Sequence, residues 1–383
     1  MEKPFKREEI EKIFILRPDN LGDVVLFSGA LRHIKEYYSS AKISLCVKKY
    51  ARNLLEKCPY VNEIIDWEDL IKPLPNWLTR FKGLNYFELV VWLLFFERTI
   101  KKNYEFDLFL LPVRSPTRRM HLCARAIQAK YKYAISGDTC NQTSAVDRSA
   151  KEIYTERFKL PKELKKQHEL NINSLFLNYL GIDTIVEDLW PVFWTDMYDR
   201  EWATINISRS NDSFVLAICP GIGSGVQKKY PAKNYAHALS ALRDIKISVL
   251  LFGNIDEKDQ CDEVGKAVAQ CENVISVSNL AGMTTIRKLV EGLRICDMVI
   301  SNDTAALQIA VALKKPTVGI IGGEYFGRFY PWGDNKINLV AHKKMDCYWC
   351  NGECIFSEMR CVIDIEPEII TSQIKDLIKF IRR

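Results

Sequence analysis

Short apolar runs alternate with amphipathic segments along the first half of the chain. Residues 13–16 (IFIL), 43–47 (ISLCV) and 107–111 (DLFLL) have the length and continuous apolar character of buried strands. Apolar residues recur at helical spacing over 24–34, and a second helix is predicted over 51–58. Strands that alternate with helices are typical of a parallel sheet covered by helices on both faces.

The same alternation returns in the second half. The strands and helices predicted there are 214–218, 235–242, 247–252, 259–269, 298–300, 304–313 and 317–321. Residues 136–169 are polar and weakly patterned, and we place the domain boundary within 188–211, which contains a proline and a polar run. We therefore predict two Rossmann-like domains, 1–190 and 191–365. The segment 366–383 is predicted to be an amphipathic helix that packs back on the N-terminal domain.

Composition supports two ordinary globular domains. The chain has 383 residues, of which 48% are hydrophobic and 27% charged, enough to bury two cores. The net charge of +6 is mildly basic and falls short of the basic stripe typical of nucleic-acid binders. It suits an anionic small ligand or an anionic membrane surface. We therefore expect no nucleic-acid partner.

The N-terminal residues indicate the compartment. Residues 1–10 are charged throughout and lack the apolar segment of a signal peptide, so we expect a cytoplasmic protein with reduced thiols. The run 87–96 (FELVVWLLFF) is too short to span a membrane and contains Glu88. It is either a buried element or an apolar patch that contacts a membrane or a lipid-linked substrate, and both interpretations stay open. Peripheral contact with the inner membrane face follows from the second.

In open parallel sheets, ligands bind at the carboxyl ends of the strands, so the turns after strands are the candidate sites. The first such turn is 17–23 (RPDNLGD). Asp23 begins a helix there, and an aspartate in that position stabilises the helix dipole without any chemistry. Alternatively, Asp23 is a carboxylate base at the mouth of a cleft, with Gly22 allowing close backbone approach.

The second candidate turn is 219–231 (CPGIGSGVQKKYP). Its glycines are spaced G-x-G-x-G, which differs from the G-x-G-x-x-G of dinucleotide-binding turns and makes an NAD-dependent oxidoreductase a poor alternative. No Gly-Lys-Ser/Thr follows, so the P-loop pattern is absent as well. The turn is either a flexible surface loop or a phosphate cradle whose two lysines supply charge.

The third candidate turn is 301–308 (SNDTAALQ), which opens a helix directly after a strand. Such residues cap the helix, and a helix N-terminus in this place also forms a ready diphosphate site. After the next strand, Gly322 and Gly323 allow a ligand to approach the backbone.

Four of the twelve cysteines cluster within fifteen residues, at Cys347, Cys350, Cys354 and Cys361. In a reduced compartment this clustering indicates a closed, tetrahedral and therefore structural metal site, with zinc or iron both chemically reasonable. The alternative is a set of reduced, partly buried thiols.

Taken in order, these motifs resemble glycosyltransferase family 9, the lipopolysaccharide heptosyltransferases. The matching segments are 17–25, Pro220 with Gly221, 228–231, 251–253 with Glu257, 301–304 and 315–318. The cysteine cluster is similar to one found in a subset of the family. Single motifs are weak, but their joint order along nearly the whole chain is specific.

The resemblance implies an α/β fold of the GT-B type, with two Rossmann-like doubly wound domains facing a central cleft. The N-terminal domain would hold the acceptor and the C-terminal domain the nucleotide-sugar. The implied reaction is an inverting transfer of heptose or a related sugar, ADP-linked in the family's manner, and it needs no catalytic metal. The acceptor would be a hydroxyl of a glycan, glycolipid or protein in surface polysaccharide synthesis.

The resemblance also implies roles for individual residues. Asp23 would be the general base and Lys228 would neutralise the leaving diphosphate. The donor would contact Gly221, Ser224, Glu257, Asp303, Thr304, Ala305, Gln308 and Gly322, with Glu257 on the ribose. Arg17, Asn20 and Gly22 would lie on the acceptor side.

One segment departs from the family pattern. The family reads D-T-G-x-x-H where this chain has Ala305 in place of the glycine and Gln308 in place of the histidine. Glutamine forms hydrogen bonds but carries no charge. The donor sugar and its nucleotide therefore stay open, and a non-catalytic nucleotide-sugar-binding member of the family is the main alternative.

Overall fold

The computed structural model describes residues 4–71, 105–164, 166–207, 212–222 and 228–382. The chain divides into two compact units, 1–190 and 191–383, at a point inside the segment predicted to hold the boundary. The apolar run 87–96 and Ser224 lie outside the described residues.

The first unit contains a six-stranded parallel sheet. Its strands are β1 (Lys12–Leu16), β2 (Lys42–Val47), β3 (Glu63–Asp66), β4 (Glu105–Leu111), β5 (Gln128–Ser136) and β6 (Glu156–Lys159). They lie in the order β3-β2-β1-β4-β5-β6, and every neighbouring pair is parallel. The apolar run in β1 forms the buried centre of this sheet, with Ile13 to Leu16 fully inaccessible.

Helices connect these strands. They are α1 (Leu21–Phe27), α2 (Ala30–Tyr37), α3 (Arg52–Leu55), α4 (Trp67–Leu70), α5 (Arg118–Ala126), α6 (Ser144–Ser149) and α7 (Glu169–Tyr179). The helix predicted over 24–34 is two helices, α1 and α2. The break falls at Ser28, whose hydroxyl donates to the carbonyl oxygen of Val25 at 2.7 Å, a side-chain bond that competes with helix continuation.

The second unit repeats this topology. Its strands are β7 (Phe214–Cys219), β8 (Ile247–Leu251), β9 (Val274–Asn279), β10 (Met298–Asn302), β11 (Thr317–Ile320) and β12 (Asn338–Ala341). The order is β12-β11-β10-β7-β8-β9. Counted from its own first strand, each sheet therefore has the order 3-2-1-4-5-6, which is that of the Rossmann fold. The predicted α/β class with two Rossmann-like doubly wound domains is confirmed.

The helices of the second unit complete the layers on either side of its sheet. They are α8 (Met197–Asn206), α9 (Ala232–Ser240), α10 (Lys258–Val268), α11 (Ile286–Ile295), α12 (Ala305–Ala312), α13 (Arg360–Ile363) and α14 (Pro367–Ile381). None of the helices in the described ranges is both long enough and apolar enough to span a bilayer.

The prediction for the C-terminal helix is wrong, because α14 packs on the second unit. Its apolar stripe, with Ile370, Ile374 and Leu377, is buried in the same core as α9. The Thr371 hydroxyl donates to the carbonyl oxygen of Ala238 at 3.1 Å and fixes the two helices against each other. The helical period indicates an apolar face but not which sheet that face covers.

Strands β5, β6, β9 and β12 are absent from the elements predicted by the sequence. Strand β5 alternates lysine with tyrosine (QAKYKYAIS), and β9 lies at a sheet edge with most of its side chains partly or fully exposed. Strands β6, β9 and β12 are edge strands, which need no continuous apolar run because only one side of each is paired. Strand β5 is paired with both β4 and β6, but its lysines and its partly exposed first half interrupt the apolar run that indicates a buried strand.

Candidate active site

Asp23 lies in the first turn of α1, which begins directly after β1. Its backbone N–H donates to the carbonyl oxygen of Asn20 at 3.0 Å, and its side chain is partly exposed. Burial and the negative charge of Asp23 both contribute to raising the pKa of Tyr50 to about 12. The turn therefore presents a carboxylate at the carboxyl end of the first sheet, with a neutral phenol beside it.

Arg17 holds this turn in place. The side chain is 1% exposed, and its Nε lies 3.0 Å from Oδ2 of Asp19. The guanidinium donates to the carbonyl oxygen of Pro112, at the end of β4, and to that of Asp23 at 3.5 Å. It also covers the ring of Phe27 at 5.1 Å. Through these contacts the buried Arg17 side chain holds the turn that carries Asp23 in position.

The remaining residues of the turn are more accessible. The side chain of Asn20 is exposed, and its Oδ1 accepts from Nζ of Lys48 at 3.0 Å. Lys48 follows β2, and its ammonium also lies 5.7 Å from the centre of the Tyr50 ring. Gly22 is the second residue of α1 and adds no side chain beside Asp23. A basic and an amide group thus flank the carboxylate on the side of β2.

In the second unit, the turn after β7 is anchored through the carbonyl oxygen of Pro220. Nδ2 of Asn302 donates to this oxygen at 2.7 Å, and the side-chain amide of Gln260 donates to it as well. The hydroxyl of the fully buried Tyr235 donates to Oδ1 of Asn302 at 3.0 Å. The buried asparagine is therefore a structural link between β10 and the turn.

Glu257 lies directly against this turn. Its Oε1 accepts from the backbone N–H of Ile222 at 3.1 Å, and its Oε2 accepts from that of Asn254 at 2.9 Å. A Cβ on Gly221 would stand 2.3 Å from Oε1, so a larger residue there would displace the Glu257 carboxylate. The carboxylate therefore links the turn after β7 to the turn after β8.

Lys228 closes the pocket of the second unit and forms an ion pair with the carboxylate of Glu324. The pocket is lined by Ile222, Lys228, Asn302, Asp303, Ile320, Gly322, Glu324, Met359 and Val362. Burial raises the pKa of the Asp303 carboxyl above its ordinary value, and the positive charge of Lys228 opposes that rise. The carboxyl ends of β7, β10 and β11 meet here, so the pocket lies where a parallel sheet binds its ligands.

Helix α12 begins at the same edge of the sheet. Thr304 is its N-cap residue, and its hydroxyl lies 3.3 Å from that of Ser301 instead of capping the helix. The first N–H groups of α12, beginning at Ala305, have no partner within the helix, as at every helix N-terminus. They supply donors and a partial positive charge beside the pocket.

Comparison with protein-family models identifies the family of this chain. The model of glycosyltransferase family 9 (heptosyltransferase) matches residues 141–355, more than half of the chain and most of the second unit. The chain belongs to glycosyltransferase family 9. As a member, it is a glycosyltransferase, which confirms the family resemblance that motif order indicates.

Curated relatives in this family match almost end to end. Lipooligosaccharide heptosyltransferase 2 of Campylobacter jejuni is 25% identical over 96% of this chain and 98% of its own. Lipopolysaccharide heptosyltransferase 2 of Escherichia coli K12 is 23% identical over the same shares of the two chains.

Solved structures of several glycosyltransferases share the fold. ADP-heptose lipopolysaccharide heptosyltransferase II of E. coli has a TM-score of 0.68 at 19% identity, over 97% of this chain and 100% of that one. E. coli heptosyltransferase WaaC with ADP has a TM-score of 0.60 at 15% identity, over 96% and 99%. The iron-containing dodecameric glycosyltransferase TibC of enterotoxigenic E. coli has a TM-score of 0.51 at 11% identity, over 99% and 78%. The predicted GT-B class is confirmed.

Gln308, which departs from the family-9 pattern, is 2% exposed. Its Oε1 accepts from the indole Nε1 of Trp332 at 2.6 Å. The side-chain oxygen is therefore directed into the protein toward Trp332, which leaves the amide nitrogen as the group for any ligand contact.

The cysteine segment of this family-9 chain lies beside the pocket. Cys347, Cys350, Cys354 and Cys361 line one small cavity together with Gly323 and Met359. Burial raises the pKa of Cys361, and the other three thiols raise it further, while the N–H of Gly323 lowers it. Among the described residues, however, no three histidine, cysteine or acidic side chains are arranged to hold a metal ion.

Sequence reasoning does not single out Glu324 or the Tyr235–Asn302 link. Both depend on pairing across long stretches of chain, since Lys228 and Glu324 are 96 positions apart. The one signal for Glu324 is its place directly after the two glycines that follow β11.

Proposed function

We propose that this chain transfers a sugar from an ADP-linked sugar, of which ADP-heptose is the first candidate, to a hydroxyl of a lipopolysaccharide or lipooligosaccharide precursor. The observation that carries the proposal is the pocket at the ends of β7, β10 and β11, with Lys228 at its edge. The names of the relatives, which are heptosyltransferases of these glycans, and the ADP in the WaaC structure support the donor and the acceptor class. A hydroxyl of another surface glycan or glycolipid, or of a protein, is the alternative acceptor.

In the second unit, Lys228 supplies the positive charge for the diphosphate, and the N–H groups at Thr304 and Ala305 supply donors. Gly221 makes room for the Glu257 carboxylate, and Gly322 belongs to the pocket wall that the donor would contact. Glu257, whose carboxylate links the turn after β7 to the turn after β8, accepts from the ribose hydroxyls. Asp303 and the amide nitrogen of Gln308 face the sugar, and Ser224 in the same turn is assigned to the phosphates.

In the first unit, Asp23 acts as the general base. As the acceptor oxygen attacks the anomeric carbon, its proton passes to the Asp23 carboxylate, and the bond from that carbon to the diphosphate oxygen breaks. Attack opposite the leaving group inverts the anomeric centre. Arg17 keeps the carboxylate in position, while Asn20 and Gly22 border the space for the acceptor.

The test is transfer from ADP-heptose to a lipopolysaccharide precursor, with Asp23→Asn as the diagnostic variant. We expect kcat to fall by about 10²–10³, a typical loss for a group that acts in the transition state. The Kd for ADP should stay unchanged, because Asp23 is not part of the donor pocket. Asp183→Asn, an exposed carboxylate of the same unit, is the control and should retain full turnover.

Other outcomes separate the alternatives. Binding of ADP without any transfer would favour the non-catalytic nucleotide-sugar-binding member, for which the altered residues Ala305 and Gln308 are the only support. A thermal shift with NAD and none with nucleoside diphosphates would favour an oxidoreductase. A shift with UDP or GDP instead of ADP would identify a different donor.

We also propose that the four clustered cysteines hold a structural iron or zinc ion. Their thiols line one cavity, thiolate sets select these two metals, and TibC, which shares the fold, is described as containing iron. Cys347, Cys350, Cys354 and Cys361 would be the ligands. Metal analysis of the purified protein should find about one ion per chain, which is lost in Cys354→Ser and retained in Cys140→Ser, an exposed cysteine outside the cluster.

We further propose a peripheral contact with the inner membrane face, through the apolar run 87–96 and the lysines that follow it. The support is sequence alone: an apolar segment with basic flanks at Lys101 and Lys102. Reversing both charges should weaken co-sedimentation with anionic vesicles. Unchanged co-sedimentation would remove this part of the proposal.

A further inference from the structure

Glu324 forms an ion pair with Lys228, the cation proposed to bind the diphosphate of the donor. Its carboxylate accepts from Nζ of Lys228, and its side chain is 8% exposed while that of Lys228 is 31% exposed. The pair lies inside the pocket of the second unit, together with Asp303. In the structure, Lys228 is therefore already paired with an anion.

The backbone of the Glu324 turn is held by the cysteine segment. The N–H of Gly323 donates to Sγ of Cys361 at 3.4 Å, and its carbonyl oxygen accepts from the N–H of Trp349 at 2.8 Å. The carbonyl oxygen of Glu324 accepts from the N–H of Asn351 at 3.3 Å. The turn is thus fixed on both sides, and its position directs the Glu324 carboxylate toward Lys228.

With Lys228 paired to Glu324, the charges in the pocket do not favour the binding of a diphosphate. Among the described residues that line the pocket, one ammonium, that of Lys228, is accompanied by two carboxyl groups, those of Asp303 and Glu324. A diphosphate that reaches Lys228 brings like charge next to the buried Glu324 carboxylate. Like charges at close range in a partly desolvated site repel strongly, so the donor and Glu324 cannot both pair fully with one ammonium.

We propose that Glu324 is the counter-ion of Lys228 in the free enzyme and that the diphosphate of the donor displaces it. Glu324 thereby sets the affinity for the nucleotide. The inference rests on the proposed function, since it takes Lys228 as the diphosphate-binding cation. It gives Glu324 a role at the end of the cycle as well: once the sugar has been transferred, the carboxylate competes with the nucleoside diphosphate for Lys228 and speeds its release, a step that often limits turnover.

The size of the effect follows from the fraction of enzyme in which Lys228 is available. The apparent Kd equals the intrinsic Kd divided by that fraction. If Lys228 pairs with Glu324 in about nine-tenths of the free enzyme, removing the competition tightens binding about tenfold.

The experiment is calorimetric titration of the full chain with ADP, comparing wild type with Glu324→Gln. Glutamine keeps the shape and removes the charge, so we expect the Kd for ADP to fall about tenfold and the dissociation rate to fall with it. Adenosine, which carries no phosphate, should bind both proteins equally. The matched control is Glu263→Gln, which breaks the exposed ion pair of the neighbouring Lys229 and should leave the Kd unchanged.

A double-mutant cycle separates competition from mere packing. In the Lys228→Gln background, Glu324→Gln should tighten ADP binding much less than in wild type, because there is no ammonium to compete for. If Glu324→Gln fails to fold by circular dichroism, Glu324→Asp serves instead, since its shorter side chain weakens the pair and should give a smaller tightening. An unchanged or weaker affinity for ADP in the folded variants would overturn the inference. A wild-type chain that binds none of ADP, UDP or GDP would overturn the proposed function itself.

Discussion

Gly221 and Glu257 are packed so closely that a side chain on residue 221 would displace the Glu257 carboxylate. A Cβ on residue 221 would stand 2.3 Å from Oε1 and 2.5 Å from Cδ of Glu257. The same carboxylate accepts from the backbone N–H groups of Ile222 and Asn254, so it joins the turn after β7 to the turn after β8. The position proposed to bind the ribose therefore depends on the absence of a side chain 36 positions earlier in the sequence.

Gly221→Ala should weaken ADP binding by about tenfold to a hundredfold. The added methyl group displaces the Glu257 carboxylate, which costs a charge-assisted hydrogen bond of about 1.5–3 kcal/mol. Calorimetric titration measures the change. In a Glu257→Ala background there is no carboxylate to displace, so the same glycine substitution should have little further effect. Equal losses in both backgrounds would show that the close contact is unimportant.

How far the sequence predicts this site is clear from Gly221, Glu257 and Glu324. The glycine and the first glutamate belong to segments that resemble family-9 motifs, so the resemblance predicts that they lie on the donor side. It makes no such prediction for Glu324, whose importance comes from a pairing with Lys228 that only the fold brings about. Motif order predicts which turns carry polar residues, and tertiary structure decides which of those residues contact each other.

In the fold, too, local sequence predicts some elements, while others depend on tertiary neighbours. The central strands β1, β4, β7 and β10 are continuous apolar runs, and the sequence predicts all four, because burial on both faces requires such a run. Strands β6 and β9 at the edges, and the destination of α14, depend on neighbours that are distant in sequence. The local pattern of apolar and polar residues does not identify those neighbours.

Tyr235→Phe should lower the free energy of unfolding by about 1–3 kcal/mol. The phenol donates to Oδ1 of Asn302, which is 3% exposed, and its removal leaves a buried oxygen without that donor. Urea denaturation measures the loss. Tyr198→Phe removes a phenol from a residue that is 71% exposed and should change the unfolding free energy by less than about 0.5 kcal/mol. Equal effects of the two changes would contradict the role given to Asn302.

Gln308→Leu should destabilise the second unit, whereas Gln308→His should be tolerated better. Leucine removes the side-chain oxygen that accepts from the indole N–H of Trp332, at a cost of about 1–3 kcal/mol, while a neutral histidine can present a ring nitrogen to that N–H. Denaturant midpoints measure the difference. Equal destabilisation by the two substitutions would show that the Trp332 hydrogen bond contributes little.

His121 should make the chain less stable as the pH falls below about 6.5. The ring is 2% exposed in α5, and its Nδ1 lies 2.7 Å from the hydroxyl of Tyr154. Burial, with the positive charge of Arg157, lowers the pKa of His121 to about 4. In the unfolded chain the ring takes up a proton near its ordinary pKa of about 6.5, so between these values the unfolded state binds more protons.

The contribution of His121 to the free energy of unfolding is therefore complete above about pH 6.5. It is lost progressively as the pH falls toward 4, by up to about 3 kcal/mol in all. Urea unfolding at pH 7 and at pH 5 should show a smaller difference in His121→Asn than in wild type, because asparagine does not titrate. His237→Asn, a change at an exposed histidine, should retain the wild-type difference. If all three proteins lose the same stability between the two pH values, carboxylates alone account for the acid sensitivity and His121 has no part in it.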